Sequence, residues 1–361
     1  MIPLTINTHH PYTVISEPGA LANLGTICAD ILKPCKICVV TEDNVDILYS
    51  DTVIGSLEKA GFCVHKIVFS PGEHTKSLIS VGLLLDFLSE KEFTRSDVVI
   101  ALGGGVIGDL SGFAASVYLR GIRYIQVPTT FLAAVDSSVG GKTGVNLASG
   151  KNLAGTFWQP TLVVFDPLTM DTLAESMILD GLSETIKCGM IADKSLFDFL
   201  KDTPWNGLPT GKSLYDFVQR CAVGAIGVKQ KLVEEDEKDL AQRQLLNFGH
   251  TIGHAIELSS RYTISHGQAV AKGMVIVTRA ATVKGWTKED CLTPLLSVLN
   301  KFSFSLDLQY TAESLAEIAL RDKKRKGKTI NLVIPIRQGE GILKPIDVDD
   351  LRGFIETGLQ P

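Results

Sequence analysis

The sequence predicts an α/β N-terminal domain built on a mostly parallel sheet, a mainly α-helical C-terminal domain, and an active site in the cleft between them. Up to about residue 170, short apolar segments alternate with helical segments, and this alternation is typical of parallel strands covered by helices. From about residue 173, one helical segment follows another. We therefore expect two domains, 1–172 and 173–361, with ligands bound beyond the carboxyl ends of the strands.

The individual elements follow from the spacing of apolar residues. In the first half we expect a helix at 78–91 and strands at 37–41, 64–69, 98–102, 124–127 and 162–166. In the second half we expect helices at 174–192, 213–233, 240–259, 267–284 and 312–321. A short strand at 329–335 follows the basic run Lys323-Lys324-Arg325-Lys326.

The composition is that of an ordinary globular protein. Of its 361 residues, 45% are hydrophobic and 21% are charged, and the net charge is −5, which argues against broad binding to nucleic acids or anionic membranes. The N-terminus lacks the basic start and apolar core of a signal peptide, and no uncharged apolar run approaches the roughly 18 residues needed to cross a bilayer. We expect a cytoplasmic protein with neither nucleic-acid nor membrane partners.

Seven cysteines lie at irregular spacings, which does not suggest a disulfide framework. Cys35 and Cys38 form a Cys-x-x-Cys pattern, but this pattern opens the strand expected at 37–41. Burial as small hydrophobic residues is therefore favoured over redox or metal chemistry.

A glycine cluster follows the apolar run 98–102. Gly103, Gly105 and Gly108 satisfy the pattern Gly-x-Gly-x-x-Gly between a predicted strand and a predicted helix, which indicates a Rossmann-like phosphate site at a helix N-terminus. The acid that usually follows about 20 residues later is absent, because this region offers Arg120, Arg123 and Gln126 instead. A tight strand-to-helix crossover without a ligand is the alternative.

A second polar loop follows the strand expected at 64–69. It contains Glu73, which could accept a hydrogen bond from a ribose hydroxyl, and Lys76, which could pair with a negative charge. We therefore favour a dinucleotide bound in a non-standard way.

Three histidines and one glutamate indicate a metal site in the second half. His250 and His254 are four residues apart and so share one helix face, while His266 precedes a predicted helix. Glu184 lies on an otherwise apolar helix. Imidazoles with one carboxylate suit a divalent metal of the zinc type. Spacing alone would pair His250 with His254 on the metal, and leaves open that one of them carries a proton instead.

The chain resembles the 3-dehydroquinate synthase family, within the sugar-phosphate cyclases. The motifs are Gly-Gly-Gly-Val-Ile-Gly-Asp, Val-Pro-Thr-Thr, Asp-Ser-Ser-Val-Gly-Gly-Lys-Thr, Gly-Lys-Asn-Leu and Asn-Phe-Gly-His-Thr-Ile-Gly-His with His-Gly-Gln-Ala-Val-Ala. The resemblance implies conversion of 3-deoxy-D-arabino-heptulosonate 7-phosphate, an anionic sugar phosphate, to 3-dehydroquinate and phosphate in the shikimate pathway. It implies transient oxidation by NAD, phosphate elimination, re-reduction, ring opening and aldol closure, with zinc or cobalt and a homodimer.

The resemblance also implies roles for individual residues. The metal ligands would be Glu184, His250 and His266. The catalytic residues would be Lys187, His254, Asn247, Arg243, Lys142 and Asp136. The substrate-binding residues would be Arg120, Asn152, Lys229, Asp239 and Lys324, with Lys323 an alternative to Lys324. The NAD-binding residues would be Glu42, Asn44, Glu73, Lys76, Gly104, Gly105, Val106, Ile107, Gly108, Asp109, Thr129, Thr130, Lys142, Lys151, Thr169, Met170, Asp171 and Thr172.

Three departures from the family pattern are visible, at Asp239 (usually Glu), Gln268 (commonly Glu) and Ser183 (usually Ala). None of them removes a predicted metal ligand or cation. The alternatives are another sugar-phosphate cyclase, a metal-dependent polyol or alcohol dehydrogenase, and a non-catalytic NAD-binding protein.

Overall fold

A computed structural model of the chain describes residues 2–307, 309–321 and 328–360. Two compact units are present, Met1–Leu173 with Thr210–Val223, and Ala174–Pro209 with Gly224–Pro361. The predicted domains differ from these units chiefly at Thr210–Val223, which clusters with the first unit. Lys323 and Lys324, predicted to bind phosphate, lie outside the described residues.

A largely parallel sheet organises the first unit. The strands are β1 (Ile2–Ile6), β2 (Tyr12–Ser16), β3 (Lys36–Glu42), β4 (Cys63–Phe69), β5 (Val98–Gly103), β6 (Arg123–Pro128), β7 (Lys142–Leu147), β8 (Gly150–Phe157) and β9 (Leu162–Phe165). Seven of these described strands form one sheet in the order β1-β2-β9-β6-β5-β3-β4, and β7 and β8 form a separate antiparallel hairpin. Every pairing in the large sheet is parallel except β1 with β2.

Helices cover both faces of this sheet. They are α1 (Leu24–Ala29), α2 (Asp43–Val45), α3 (Asp51–Lys59), α4 (Leu78–Glu90) and α5 (Gly105–Val117). Along β5, Val98, Ile100 and Leu102 pack in one core with side chains of α1 and α3, whereas Val99 and Ala101 pack in a second core with α4 and α5. This alternation follows from the two-residue period of a strand. The five strands and the helix predicted for this half are confirmed, as is the predicted fold class.

The second unit is mainly helical. Its elements are α6 (Glu175–Ala192), α7 (Lys194–Asp202), α8 (Lys212–Glu235, which begins in the first unit), α9 (His250–Ser259), α10 (His266–Val283), α11 (Leu292–Lys301), α12 (Ala312–Arg321), β10 (Thr329–Arg337), β11 (Glu340–Asp347) and α13 (Leu351–Leu359). The strands β10 and β11 form an antiparallel hairpin. The helix α10 packs against α6, α9, α11 and α13, and it is apolar on most sides because it is the central helix of this unit.

The helix predicted at 240–259 is wrong in its first half. Gln242–Asn247 forms a 3-10 turn, and α9 begins only at His250. Gly249 separates the two with a φ of +78°, in the left-handed region that glycine adopts without strain. Arg243 therefore lies before the helix of His250 and not on it.

The structure also describes all seven cysteines and the helices that the membrane expectation concerns. All seven cysteines are free thiols. Cys38 is buried in β3, and burial raises its thiol pKa to about 12, which fits the expected packing role. Across the described residues, no helix has both the length and the apolar character required to cross a membrane.

Candidate active site

Glu184 lies on a helix that is enclosed by its neighbours. Residues 181–191 of α6 are all buried, and Glu184 itself is 0% exposed. The helix packs against α10 and against the β10–β11 hairpin. A carboxylate in such surroundings loses its hydration and must be compensated by cations or hydrogen-bond donors. This position therefore requires nearby positive charge.

Glycines let α9 and α10 approach each other closely. A Cβ on Gly249 would lie 2.6 Å from Met274 Cγ, and a Cβ on Gly273 would lie 2.1 Å from the Gly249 carbonyl oxygen. Any larger residue at either position would push the helices apart. In this arrangement the ring centroids of His250 and His266 lie 5.4 Å apart.

Two imidazoles converge on the buried carboxylate. His250 Nε2 lies 3.5 Å from Glu184 Oε1, and His266 Nε2 lies 3.4 Å from the same oxygen. One donor atom from each of these three residues lies within 4.8 Å of the others. Two imidazole nitrogens and one carboxylate oxygen form the kind of set that binds zinc with a fourth position open to a substrate. The residues present therefore fit the expected divalent cation.

The remaining ring nitrogens are held by acceptors. His250 Nδ1 lies 3.1 Å from the carbonyl oxygen of Phe248. His266 Nδ1 lies 3.2 Å from Glu257 Oε2. Both acceptors require a proton on Nδ1. Nε2, which faces Glu184 in each ring, is therefore the nitrogen that can bind a cation.

Asp180 fixes the start of the helix that carries His266. Its Oδ1 accepts hydrogen bonds from Ser265 Oγ at 2.6 Å and from the Gly267 backbone N–H at 2.8 Å. Asp180 lies one helical turn before Glu184 on α6. The helix α6 therefore supplies the candidate ligand Glu184, and it also anchors the backbone on either side of the candidate ligand His266.

Lys187 supplies positive charge beside Glu184. It is 1% exposed and donates to Glu184 Oε2, the carboxylate oxygen that does not face the imidazoles. The pair lies three residues apart on α6. A buried ammonium ion at this position compensates the buried carboxylate and remains close to the candidate metal ligands.

The two imidazoles have opposite pKa shifts. Burial, reinforced by the Lys187 ammonium, lowers the pKa of His250 to about 3. Burial acts in the same direction on His266, but its hydrogen bonds with Glu184 and Glu257 outweigh that effect and raise its pKa to about 10. Within this group, His266 therefore holds a second proton at neutral pH and His250 does not.

His254 lies next to this group and is exposed. Its ring centroid is 5.3 Å from that of His250 and 5.9 Å from that of His266. It belongs to a second set of donor atoms within 4.8 Å of one another, formed with Glu257 and His266. The structure thus places His254 beside the three ligands of the prediction and not among them.

A polar turn before α9 holds Arg243. Arg243 is 2% exposed, and its Nη1 donates to the Glu237 carbonyl oxygen at 2.7 Å. The carboxylate of Asp236 accepts backbone N–H groups of three residues, which are Leu240, Ala241 and Arg243. The carboxylate thus pairs with backbone N–H groups that would otherwise bond to carbonyl oxygens within an α-helix. This competition explains why the predicted helix does not form here.

Three other predicted residues of the second unit occupy different surroundings. Lys229 is buried on α8, at 5% exposure. Asn247 is exposed at the end of the 3-10 turn, and Asp239 has a φ of +57° in the preceding loop.

In the first unit, the predicted NAD-binding residues follow the carboxyl ends of parallel strands. Glu42 ends β3, Glu73 follows β4, Gly104 follows β5 and Thr129 follows β6, while the 3-10 turn Pro167–Thr172 follows β9. Because these strands run parallel, the residues share one edge of the sheet. Such an edge is where nucleotides bind in folds of this kind.

The glycine turn opens α5 as predicted. Gly104 is the N-cap, and no side chain caps the first turn, which contains no acidic residue. A Cβ on Gly104 would lie 3.0 Å from Thr130 Cγ2, and one on Gly105 would lie 3.0 Å from Ser137 Oγ. These two positions therefore suit glycine, and a turn without side chains lets an anion approach the backbone N–H groups at the start of a helix. Ile107 is buried in the core, so only its backbone could contact a ligand.

Lys76 and Asp109 form an ion pair at the same edge. Lys76 Nζ donates to Asp109 Oδ2, with side chains 8% and 17% exposed. Burial raises the Asp109 pKa, as do the nearby carboxylates of Glu73 and Asp136, and Lys76 opposes this increase. Four predicted site residues therefore lie within electrostatic range of one another.

Asn146 connects a predicted NAD residue with a predicted substrate residue. Its Nδ2 donates to Glu73 Oε1 at 2.7 Å, and its Oδ1 accepts from the Asn152 backbone N–H at 2.9 Å. Asn152 has a φ of +55°. The loop after β4 is thereby tied to the β7–β8 hairpin.

The remaining predicted residues of the first unit differ in their contacts and in their exposure to solvent. The Glu42 carboxylate accepts the backbone N–H groups of Asn44 and Val45. In the turn after β9, the predicted residues are Thr169 and Met170, both buried, Asp171, which accepts a hydrogen bond from Tyr215, and Thr172, which bonds to Tyr49. The exposed or half-buried predicted residues are Arg120, Asp136, Lys142, Lys151, Gly105, Val106 and Thr130, and the buried ones are Gly108 and Thr129.

Comparison with known proteins identifies the family. A family model described as 3-dehydroquinate synthase N-terminal matches residues 66–180, and one described as 3-dehydroquinate synthase C-terminal matches residues 181–325. A curated 3-dehydroquinate synthase from Streptococcus suis (strain 05ZYH33) is 41% identical over 357 residues, covering 98% of this chain and 99% of the relative. The chain belongs to the 3-dehydroquinate synthase family. The predicted family and enzyme class are confirmed.

Two further comparisons agree with membership of the 3-dehydroquinate synthase family. A second curated 3-dehydroquinate synthase, from Streptococcus pneumoniae (strain JJA), is 40% identical over 349 residues, covering 96% of this chain and 97% of the relative. Among solved structures, the 2-epi-5-epi-valiolone synthase ValA from Streptomyces hygroscopicus subsp. jinggangensis 5008, with NAD+ and Zn2+ bound, is 25% identical. Its TM-score is 0.84, and 96% of each chain is covered.

Sequence reasoning missed several residues of this 3-dehydroquinate synthase family site. Glu257 is seven residues after His250, or two helical turns, so its spacing places it on the same face and could have revealed it. Asp180 carried a similar signal, because it lies four residues before Glu184. Asn146 and Asp236 carried no such signal, since their roles depend on contacts with loops.

Proposed function

We propose that the protein catalyses the conversion of 3-deoxy-D-arabino-heptulosonate 7-phosphate to 3-dehydroquinate and phosphate, with NAD and a divalent cation, zinc or cobalt. The observation that carries this proposal is the convergence of Glu184, His250 and His266 beside buried Lys187. It is supported by the curated 3-dehydroquinate synthases at 40% and 41% identity over nearly the whole chain.

Glu184, His250 and His266 would hold the cation, which when bound supplies Lewis acidity toward a ring hydroxyl. Zinc is favoured by the donor set and by the zinc bound in the valiolone synthase. The burial of Glu184 and the Nδ1 contacts of His250 and His266 keep the three donors in place before a cation binds, so little reorganisation is needed on binding.

NAD, when bound, takes up a hydride and returns it. We propose that the residues predicted for it bind it at the carboxyl edge of the sheet, where the uncapped start of α5 attracts the pyrophosphate. We propose that Glu73 accepts a hydrogen bond from a ribose hydroxyl, although its Oε1 already accepts one from the side-chain amide of Asn146. The ion pair between Lys76 and Asp109 holds this loop against α5.

The substrate carries a carboxylate and a phosphate, and both require fixed positive charge. Lys187, Lys229 and Arg243 are buried cations of the second unit, where attraction to an anion is stronger than in water. We propose that these cations bind the acidic groups and stabilise the negative charge that develops as phosphate leaves. Further contacts are proposed for Arg120, Asp136, Lys142, Asn152, Asp239, Asn247 and Lys324.

His254 is proposed to transfer protons on the substrate side. Its imidazole is exposed beside the metal ligands, and an imidazole suits proton transfer at neutral pH. Its place outside the group that converges on Glu184 supports this role over metal binding.

The test is incubation with the heptulosonate phosphate, catalytic NAD and zinc. We expect one phosphate per dehydroquinate, no net NADH, loss of activity on chelation and recovery with zinc or cobalt. Net NADH in proportion to turnover would instead identify a dehydrogenase. Faster phosphate release from sedoheptulose 7-phosphate or glucose 6-phosphate would identify another cyclase and overturn the proposed substrate.

We also propose a cytoplasmic homodimer. The free thiols support a reducing compartment. Ile79 and Leu83 on α4, and Leu153 on β8, are 78%, 55% and 56% exposed, and such apolar surface supports a subunit contact. Light scattering should give twice the mass of 39.0 kDa, and a monomeric mass at micromolar concentration would exclude the dimer.

A further inference from the structure

We propose that Glu257 is the positioning residue of the metal site: its carboxylate holds the Nδ1–H of His266 and thereby fixes Nε2 toward the cation and strengthens that ligand. This inference rests on the proposed metal site of Glu184, His250 and His266. It assigns a function to a residue outside that set.

The contact itself is direct and shielded. His266 Nδ1 lies 3.2 Å from Glu257 Oε2, and the Glu257 side chain is only 10% exposed. On the other side of the ring, Nε2 lies 3.4 Å from Glu184 Oε1. The imidazole thus lies between two carboxylates, one on the metal side and one behind it.

The other imidazole has a weaker acceptor. The Nδ1 of His250 is held by the neutral carbonyl oxygen of Phe248 at 3.1 Å. A carboxylate behind a ligating histidine makes the imidazole a better donor to a metal and locks its tautomer. The charge of Glu257 therefore distinguishes the two ligands.

The backbone around His266 is fixed by a different residue. Asp180 bonds to Ser265 and Gly267, on either side of His266. Because the start of α10 is already anchored in this way, Glu257 acts on the ring and not on the helix. A change at Glu257 should therefore alter metal binding more than folding.

The experiment measures zinc and cobalt affinity by competition with a chelator, using Glu257→Gln, Glu257→Asp and the parent protein. We expect Glu257→Gln to weaken zinc binding by about 10- to 100-fold. We also expect it to shift the visible absorption bands of the cobalt-loaded protein, with thermal unfolding of the metal-free protein little changed. Glu313→Gln is the control, because Glu313 is 63% exposed and pairs only weakly with Arg352 at 3.4 Å.

The outcomes separate this inference from the proposed function. If the parent binds no zinc, or Glu184→Gln binds it as the parent does, the proposed metal site fails. If the parent binds zinc and Glu257→Gln binds it within twofold with an unchanged cobalt spectrum, only the role of Glu257 is wrong. A parent protein that binds two zinc ions per chain, one of which is lost in Glu257→Gln, would instead identify His254, Glu257 and His266 as a second site. This result would also overturn the positioning role of Glu257. Should Glu257→Gln fail to fold, Glu257→Asp is judged by the same criteria, since its shortened carboxylate no longer reaches Nδ1.

Discussion

The metal group of the second unit and the glycine turn of the first are built from different parts of the chain. In the metal group, side chains provide the chemistry, and they are largely shielded from solvent: Glu184 is 1%, His250 12% and His266 26% exposed at the side chain. In the glycine turn, the backbone of Gly104 and Gly105 provides it, and no side chain caps the helix. Removing side-chain atoms should therefore weaken the function of the metal group, whereas adding side-chain atoms should weaken the function of the glycine turn.

The largest effect is expected on removing the ammonium of the metal group. Lys187→Met should lower kcat by about 100- to 1000-fold, because the variant loses a buried charge that stabilises developing negative charge. Zinc content should stay at the parent level, since the three candidate ligands are retained. Steady-state kinetics and metal analysis are the measurements.

Lys194→Met is the matched control, because Lys194 is 61% exposed and pairs with a surface aspartate. It should retain parental activity. Parental kcat in Lys187→Met would show that the ammonium only balances Glu184 and does not assist the reaction.

The second prediction concerns the pH dependence of zinc affinity. Since the pKa of His266 is raised to about 10 and that of His250 is lowered to about 3, zinc must displace one proton between pH 6.5 and 8.5. Zinc binding should therefore tighten by about tenfold for each unit that the pH rises. Competition with a chelator, corrected for its own protonation, measures this slope.

NAD affinity is the internal control, because none of the residues predicted to bind NAD is a histidine, and it should change by less than about threefold over the same range. A zinc affinity independent of pH would show that His266 is already deprotonated. A hundredfold change per unit would show that both imidazoles hold a displaceable proton.

The metal group was predictable from sequence only up to a point. The four-residue spacing of His250 and His254 and the polar Glu184 in an apolar helix indicated a metal site. Spacing alone paired His250 with His254 on the metal and could not decide whether one of them carries a proton instead, because this depends on how α9 and α10 pack. The family resemblance implied Glu184, His250 and His266 as the ligands. In the structure the Nε2 atoms of His250 and His266 lie 3.5 and 3.4 Å from Glu184 Oε1, and the assignment of these ligands stays a prediction.

A third prediction tests the backbone-built site. Gly105→Ala should weaken NAD binding by about tenfold, or about 1.4 kcal/mol, because the added methyl group occupies the surface that the pyrophosphate approaches. The new Cβ would lie 3.0 Å from Ser137 Oγ, a close contact that rotation of the serine hydroxyl relieves, so the fold should tolerate it. Fluorescence titration with NADH measures the change.

Gly82→Ala is the control for this test. It lies on α4 with no heavy atom within 4 Å of its added Cβ, so it should leave NAD affinity unchanged and slightly stabilise the helix. Equal NAD affinity in Gly105→Ala and Gly82→Ala would place the nucleotide away from the glycine turn.

The glycine turn and the sheet were easier to predict than the loops. Short apolar runs rich in β-branched residues marked five of the parallel strands, and the glycines marked the start of α5. The strand Tyr12–Ser16, which pairs in parallel with β9, was not predicted. The bonds of Asn146 to Glu73 and Asn152 were not predictable, because they join residues far apart in the sequence. The helix at 240–259 was mispredicted for a related reason: the left-handed Gly249 and the bonds to Asp236 compete with helix formation.

The smallest effect is expected at Asp236, which shapes the turn of Arg243 without belonging to the metal group. Asp236→Asn should raise the KM for substrate about threefold and cost about 1 kcal/mol of stability, since a neutral amide is a weaker acceptor for the backbone N–H groups. Zinc affinity should not change. Burial would raise the Asp236 pKa, but these backbone hydrogen bonds and Arg243 lower it below its ordinary value.

The stabilising contribution of Asp236 is therefore complete above about pH 4 and is lost as the pH falls through the lowered pKa of the folded protein. Urea unfolding at pH 6 and pH 3 should show the difference between parent and variant shrinking at the lower pH. Asp198→Asn is the control, because the Asp198 pKa is also lowered, by hydrogen bonds that its carboxylate accepts from Lys194 and Lys201 on the surface. It should show the same pH trend without any change in KM. If Asp236→Asn also leaves KM unchanged, the turn does not position Arg243 for the substrate, and the proposed role of that arginine is wrong.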